Sequence, residues 1–368
     1  MVKAAVMYQV GAPLSVEEVD LLDPGPGEVL VRMVGAGVCH SDWSVLQGRI
    51  PIPVPAVLGH EGAGVVERVG AGVTAVAPGD KVIISWRPHC GRCFYCVTGR
   101  PTLCDAATRA RFQGTLFDGT TRFKKNGRPV HHMAMAATFA EYTVIPETGA
   151  IRIRPDAPLE KVAVVGCAVI TGVGAVTTTA NVEVGATVAI FGCGGVGLSA
   201  VQGAVLCGAS KIIAVDVLDS KLELAGQLGA THLVNAGRED PVARVRQLTG
   251  GAGVDYAFEV IGNPEVMARA FEATRRGGTL VVVGVADREA KLALSPFDLV
   301  LQEKRVLGSL YGSLRPPVDI PRLVDLALEG RIKLEPLITR QVGLPEINEA
   351  FGRLVRGEAV RSIVTFGG

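Results

Sequence analysis

Apolar and polar positions alternate in short runs over the first third of the chain. Residues 3–9, 14–19 and 28–36 read as strands, and Pro24-Gly25-Pro26-Gly27 turns the chain between the last two. The alternation continues at 57–69 and 81–85, with Pro78-Gly79-Asp80 as a second turn. Many short strands joined by tight turns predict a barrel-like β module. Periodicity weakens over 105–145, which predicts a long loop with at most one hairpin and a strand at 140–145. Residues 159–169 read as a helix.

From Ala186 onward the pattern changes to buried strands alternating with helices. A strand at 187–191 is followed by an apolar helix to about Cys207 and a strand at 211–216. Further strands are predicted at 231–235, 254–260, 279–285 and 305–311, with helices at 241–248, 264–276 and about 295–302. This alternation predicts a doubly wound parallel sheet over about 185–311. Helices at 321–329 and 344–356 and a strand at 361–366 complete the chain, the strand returning to the first module. The fold class is therefore α/β with a β-rich second domain. The expected boundaries are 1–168, 169–311 and a return segment 312–368.

Composition changes this picture little. The chain has 368 residues, 48% hydrophobic and 20% charged, with a formal net charge of +1. That balance fits a folded globular protein and offers nothing to nucleic acid or an anionic membrane surface. Two uncharged stretches, 162–182 and 184–210, are long enough to span a bilayer, but Gly or Thr interrupts both and the second carries a phosphate-loop pattern. The start of the chain reads as no secretory signal, and a cytoplasmic protein is expected.

The cysteines change the picture more. Cys90, Cys93, Cys96 and Cys104 fall within fifteen residues. Thiols at that spacing can curl round one ion in a closed tetrahedral site, with zinc–sulfur distances of about 2.3 Å. A closed site is structural, and its binding energy is folding energy for the loop that bears it. An iron–sulfur cluster is the alternative by ligand type. Cys39-His40-Ser41-Asp42 and Gly59-His60-Glu61-Gly62-Ala63-Gly64 offer a thiolate and an imidazole among glycines. A catalytic zinc takes three protein ligands and keeps one position open. A buried thiol and a core histidine are the ordinary alternative for that pair. His131-His132 lacks a third ligand at useful spacing and reads as solvated or hydrogen-bonded. Cys193 and Cys207 read as a loop thiol and a core thiol.

Gly192-Cys193-Gly194-Gly195-Val196-Gly197 directly follows the first buried strand and opens a helix. This is a dinucleotide-binding fingerprint in its required context. The glycines permit a tight turn and close approach to pyrophosphate, and the helix N-terminus favours the anion. Asp216 ends the next strand 19 residues after Gly197, placed to accept from ribose hydroxyls and to repel a 2′-phosphate. NAD is therefore the expected cofactor, over NADP.

With these motifs in hand, the chain resembles the zinc-dependent alcohol dehydrogenases of the medium-chain dehydrogenase/reductase family over nearly its whole length. Gly59-His60-Glu61 with Gly64 and Gly70, the four-cysteine cluster, and Gly192–Gly197 with Asp216 carry the likeness. The resemblance implies a GroES-like catalytic domain and a Rossmann domain for the coenzyme. It implies two zinc ions per subunit: a catalytic zinc on Cys39, His60 and Cys167, and a structural zinc on Cys90, Cys93, Cys96 and Cys104. Asp42 would orient His60, Glu61 would sit behind the metal, and Ser41 would accept the alcohol proton. Thr171 and Val196 would flank the nicotinamide, Lys221 would assist Asp216, and His40 and Arg361 would meet the pyrophosphate. The implied reaction is oxidation of a small-molecule alcohol to an aldehyde, with hydride passing to NAD. No nucleic-acid or membrane partner is implied.

Residues 105–140 resemble the long loop of the liver-type and formaldehyde-dehydrogenase branch, which favours a homodimer, with a tetramer as the other assembly. The arginine which that branch places four residues after its last structural cysteine is Thr108 here, with Arg109 one step later, and the position of its proton-relay histidine is Ser44. The pocket positions include Trp86, Ile50, Arg109, Met133 and Leu310. Their mostly apolar character leads the expectation toward a primary alcohol, aromatic or allylic. A thiol-adduct formaldehyde dehydrogenase and a nicotinoprotein that retains NAD are the enzymatic alternatives. A non-enzymatic NAD-binding structural protein is the alternative of another class.

Overall fold

The strand Glu28–Val38 is the spine of the first part of the molecule. Nine of its eleven residues are buried, because it pairs with neighbours on both sides and both its faces are covered. In the computed structural model, which describes residues 1–367, the chain divides into two compact units. The first comprises Met1–Cys167 with Arg315–Gly368, and the second Ala168–Leu314.

In the first unit Glu28–Val38 lies antiparallel to Glu61–Val69, Tyr142–Pro146 and the C-terminal strand Ser362–Thr365. The last pairing runs Gly37 against Ile363 and Val38 against Ser362. Val2–Met7, Ser15–Leu21, Phe123–Lys125, Arg128–His132 and Ala56–Val57 form a closed barrel beside this sheet. Val29, Val31, Met33, Val66, Val82 and Ile84 fill the interior of the larger sheet.

The second unit is a six-stranded parallel sheet among the described residues. In spatial order its strands are His232–Asn235, Lys211–Asp216, Thr187–Phe191, Val254–Glu259, Thr274–Val282 and Arg305–Gly308. Helices Gly195–Leu206, Asp219–Gln227, Pro241–Leu248 and Pro264–Ala273 connect them. Residues 188–191 are buried on both faces, as a central parallel strand requires.

Three expectations are corrected. Residues 105–145 hold a helix, Asp105–Gln113, where a loop was predicted. Only Ala107 and Ala110 of that helix are buried, so its apolar stripe is too thin to read. The run 57–69 is two strands, broken at 58–60 around Gly59 at φ +91°. The helix expected over 159–169 is Leu159–Val162, then a 3₁₀ turn Ala163–Gly166, with Cys167 itself non-helical at φ −143°.

Among the described residues no single helix is long and apolar enough to cross a membrane. One bent pair, Leu159–Gly166 with Ala168–Thr179, qualifies on length and composition, and its apolar side chains are buried within the protein.

Candidate active site

Cys39 ends the spine strand and caps the helix His40–Leu46 with extended backbone, φ −116° and ψ 153°. Asp42, in the first turn, reaches back so that its Oδ2 accepts from the Cys39 N–H at 2.9 Å. Its Oδ1 accepts from His60 Nδ1 at 2.8 Å. That bond leaves His60 Nε2 as the free lone pair and turns it toward Cys167 Sγ, 3.2 Å away. The ligand atoms of Cys39, His60 and Cys167 all lie within 4.8 Å of one another, and all three residues are buried. Glycines make the approach feasible. A Cβ at Gly37 would overlap the Glu61 carboxylate, and one at Gly166 would sit 2.9 Å from the Ile84 carbonyl.

Electrostatics in this cluster favour a cation. The Cys39 thiol is held well below its ordinary range by the hydrogen bond with Cys167 and by the Arg361 charge, while the same bond pushes the Cys167 thiol up. Burial opposes charge on His60, yet the Asp42 carboxylate and Cys39 raise its pKa to about 10. Two thiolates and a neutral imidazole would balance one Zn²⁺. Behind them Glu61, with no exposed surface, lies with Oε1 3.4 Å from Arg361 Nε. Arg361 is 3% exposed and donates through Nη1 to the Val38 carbonyl at 3.1 Å. His40 is exposed, and Ser41 and Ser44 are half-buried on the same helix.

The second cluster joins Cys90, Cys93, Cys96 and Cys104, whose sulfurs also lie within 4.8 Å of one another. Cys104 has no exposed surface and packs with Leu30, Ala107, Ala110 and Leu116. It accepts from the Cys90 N–H at 3.3 Å. Backbone N–H groups, that of Asp105 foremost, hold the Cys93 thiol down to about 6. Four sulfurs in this arrangement fit a closed tetrahedral zinc site.

In the second unit Gly192 has φ +101°, and a Cβ there would sit 2.6 Å from Ile261 Cγ1. A Cβ at Gly197 would overlap the Gly192 carbonyl, whereas Gly194 faces open space. The turn is thus closed on one side by packing and open on the other, the form a backbone cradle for a pyrophosphate takes. Asp216 Oδ2 accepts from the Cys193 N–H at 2.7 Å, tying the acid to the loop. Lys221 is half-buried on the following helix. Thr171 and Val196 lie half-buried on helices packed closely enough that a Cβ at Gly172 would overlap the Val196 carbonyl. Cys193 is a buried loop thiol, and Cys207 is half-buried rather than in the core.

Reading the sequence missed two residues. Arg109 is exposed, and two other guanidinium groups lie over the pocket position Trp86: Arg87 at 5.5 Å and Arg111 at 5.6 Å from the ring centroid. Trp86 in turn meets the His60 ring edge-on at 5.9 Å. The second is Glu259, a buried acid at the end of a parallel strand. The strand pattern followed by an acid was a signal for Glu259, and nothing local marked Arg111.

His132 is fully buried, its ring tilted by 42° against Phe123 at 4.8 Å, and its Nε2 accepts from the Arg122 N–H at 3.1 Å. Burial depresses its pKa from the ordinary 6.5 to about 3. The unfolded chain therefore takes up the proton first, and stability is lost as pH falls below 6.5. This one group removes about 2 kcal/mol between pH 7 and pH 5. Urea unfolding at the two pH values is expected to show that loss, and His132→Gln is expected to abolish it.

Comparison with known proteins covers the whole chain. Residues 25–156 match the alcohol dehydrogenase GroES-like domain and residues 195–329 the zinc-binding dehydrogenases. Over 99% of both chains the protein is 44% identical to an alcohol dehydrogenase class-3 of Cereibacter sphaeroides. Over 99% of both it is 42% identical to an S-(hydroxymethyl)glutathione dehydrogenase of Synechocystis sp.. The crystal structure of benzyl alcohol dehydrogenase from Acinetobacter calcoaceticus superposes with a TM-score of 0.95 at 35% identity, covering 100% of this chain and 99% of that one.

Proposed function

Since this chain belongs to the zinc-dependent alcohol dehydrogenase family, we propose that its substrate is the S-(hydroxymethyl) adduct of a carboxylate-bearing thiol, oxidised with hydride transfer to NAD. The expectation of a simple primary alcohol thereby yields to its alternative. Relatives at 42–44% identity carry class-3 and S-(hydroxymethyl)glutathione dehydrogenase names. The observation that carries the reading is Arg111. Its guanidinium is half-buried over Trp86, burial lowers its pKa, and none of the ion pairs among the described residues includes it, whereas Arg87 on the same ring donates to the Thr102 carbonyl. A substrate carboxylate is a fitting partner for a guanidinium in that position.

In this reading Cys39, His60 and Cys167 hold the catalytic zinc, and Cys90, Cys93, Cys96 and Cys104 the structural one. Bound zinc supplies the Lewis acid that polarises the hydroxyl, and NAD on the 192–197 loop supplies the hydride acceptor. Asp42 fixes the His60 tautomer. Ser41 takes the hydroxyl proton and passes it outward, ending in water where Ser44 stands. Glu61 and Arg361 cancel each other's charge behind the ligands, so the donor set keeps its own balance. Thr171 and Val196 border the nicotinamide, and Asp216 and Lys221 hold the ribose.

A homodimer is proposed with it. Phe297, Val300, Leu301 and Val306 are exposed on the edge strand Arg305–Gly308 and the helix before it, and a self-interface would cover them. The cytoplasm is the proposed compartment, since none of the eight cysteines is paired in a disulfide and six of them fall in the two clusters read as zinc sites.

A second reading, a free aromatic alcohol, is favoured by the half-buried apolar Trp86 and Ile50 and by the benzyl alcohol dehydrogenase likeness. NADH formation with glutathione plus formaldehyde, compared with benzyl alcohol, separates the two. The adduct is expected to give the higher kcat/KM. Arg111→Ala is expected to raise its KM about tenfold or more while leaving benzyl alcohol unaffected. Faster turnover of benzyl alcohol without thiol would establish the second reading.

A further inference from the structure

The six-stranded sheet reverses its winding between Thr187–Phe191 and Val254–Glu259: from Thr187–Phe191 the chain steps outward through Lys211–Asp216 to His232–Asn235, and then returns to the other side. Ligands of such sheets bind outside the carboxyl ends of the strands at that reversal. Glu259 stands there. It ends its strand, in register with Phe191, the last residue before the glycine loop.

Its surroundings are unusual for an acid. Glu259 has no exposed surface. One carboxylate oxygen, Oε1, accepts from three successive backbone N–H groups, those of Ile261 at 3.0 Å, Gly262 at 2.7 Å and Asn263 at 3.1 Å. The other, Oε2, is buried with no hydrogen-bond partner among the described residues. Its main-chain carbonyl accepts from Val283 at 2.9 Å and Gly284 at 3.0 Å. One residue thus ties together the strand beside the glycine loop, the turn at 260–263 and the end of the next strand.

The turn it holds leans on the glycine loop. A Cβ at Gly192 would sit 2.6 Å from Ile261 Cγ1, and one at Gly197 would sit 3.1 Å from Val260 Cγ2. Gly262 takes φ +91°, a conformation that three bonds to one oxygen stabilise. Ile261 is 56% exposed, so this wall also presents an apolar side chain outward at the crevice. A turn pinned this way is rigid before any ligand arrives, which lowers the ordering cost of binding.

We propose that Glu259 is a positioning residue for the dinucleotide: by accepting from the 261–263 amides it fixes the wall that shapes the glycine loop, and so sets NAD affinity without touching the cofactor. The inference rests on the reading that residues 192–197 bind NAD. It is the geometry of the acceptor that matters; burial pushes the carboxyl up, against the pull of the three N–H groups.

The test is the dissociation constant of the protein–NADH complex, read by nucleotide fluorescence on the zinc-loaded protein. Glu259→Gln keeps an oxygen acceptor at the same reach and is expected to stay within about twofold of wild type. Glu259→Ala removes the acceptor and Glu259→Asp withdraws it by one methylene; both are expected to weaken NADH at least about tenfold. KM for the alcohol substrate at saturating NAD and zinc content are expected to stay unchanged. A purely structural role would lower the melting temperature but leave the affinity of the folded protein alone. Should the alanine variant fail to fold, the aspartate variant decides. Affinity unchanged in Glu259→Asp, or Glu259→Gln as weak as Glu259→Asp, would overturn the inference. A wild-type protein that binds no NADH would instead remove the NAD reading on which it stands.

Discussion

Cys167→Ala is expected to leave one zinc ion per chain and to lower kcat by at least about a thousandfold, since a Lewis acid contributes several kcal/mol to such a reaction. The reason lies in the donor set. Cys167 Sγ is 3.2 Å from His60 Nε2 and is the hydrogen-bond partner that draws the Cys39 thiol down. Without it the remaining thiolate and imidazole make a two-ligand site, too weak to hold zinc against dilution or a chelator. Asp42, Glu61 and Arg361 stay in place, so the fold is expected to survive. Elemental analysis of zinc beside a turnover assay checks this. Retention of both metals with turnover intact would mean that another residue supplies the third ligand.

Cys167 also shows what was and was not legible in the sequence. Cys39 and His60 lie on neighbouring strand ends, and their glycine context already marked them. Cys167 is 107 residues from His60, and only the family resemblance put it there. Locally its stretch read as the end of a helix. The chain in fact leaves helical geometry at Cys167, φ −143°. Beside that break Gly166 packs so closely on the strand Lys81–Ile84 that a Cβ there would sit 2.9 Å from the Ile84 carbonyl, a long-range approach no local pattern announces.

Two inner strands of the parallel sheet, Thr187–Phe191 and Lys211–Asp216, were readable to the residue, because a strand buried on both faces writes its length as an unbroken apolar run. The strands expected at 279–285 and 305–311 are instead Thr274–Val282 and Arg305–Gly308. The stretch after the fourth cysteine was not readable, and the error spread. Taken as a loop, 105–113 gave no reason to prefer one arginine over another, and Arg109 was chosen by distance from Cys104. In the helix that forms there, two residues are about 200° apart, so Arg109 and Arg111 lie on opposite faces. One faces solvent and the other lies over Trp86. A missed helix thus put the expected pocket arginine on the solvent face rather than on the face over Trp86.

That helix leads to the second large effect, on stability. Cys104→Ala is expected to remove the structural zinc, keep the catalytic one, and lower the melting temperature by about 10 °C or more. The four sulfurs hold a segment with little core of its own: Phe94 and Val97 are 70% and 68% exposed, and no residue of Phe94–Val97 is buried. Binding energy at such a site is folding energy for the loop, and measured values for structural zinc run to about 10–16 kcal/mol. Cys104 is the ligand whose loss costs most, because it is buried among Leu30, Ala107 and Ala110 and caps the helix Asp105–Gln113. Heating with a scan-rate control and zinc analysis on the surviving fraction check the expectation, since loss of the loop exposes free thiols that make unfolding irreversible. The variant also probes the substrate reading. With the four-cysteine anchor at its N-terminus lost, the helix no longer fixes Arg111, so the KM for a carboxylate-bearing adduct is expected to rise while benzyl alcohol kinetics per folded molecule hold. A rise in both KM values alike would place the helix in general support of the zinc pocket rather than in recognition of the carboxylate.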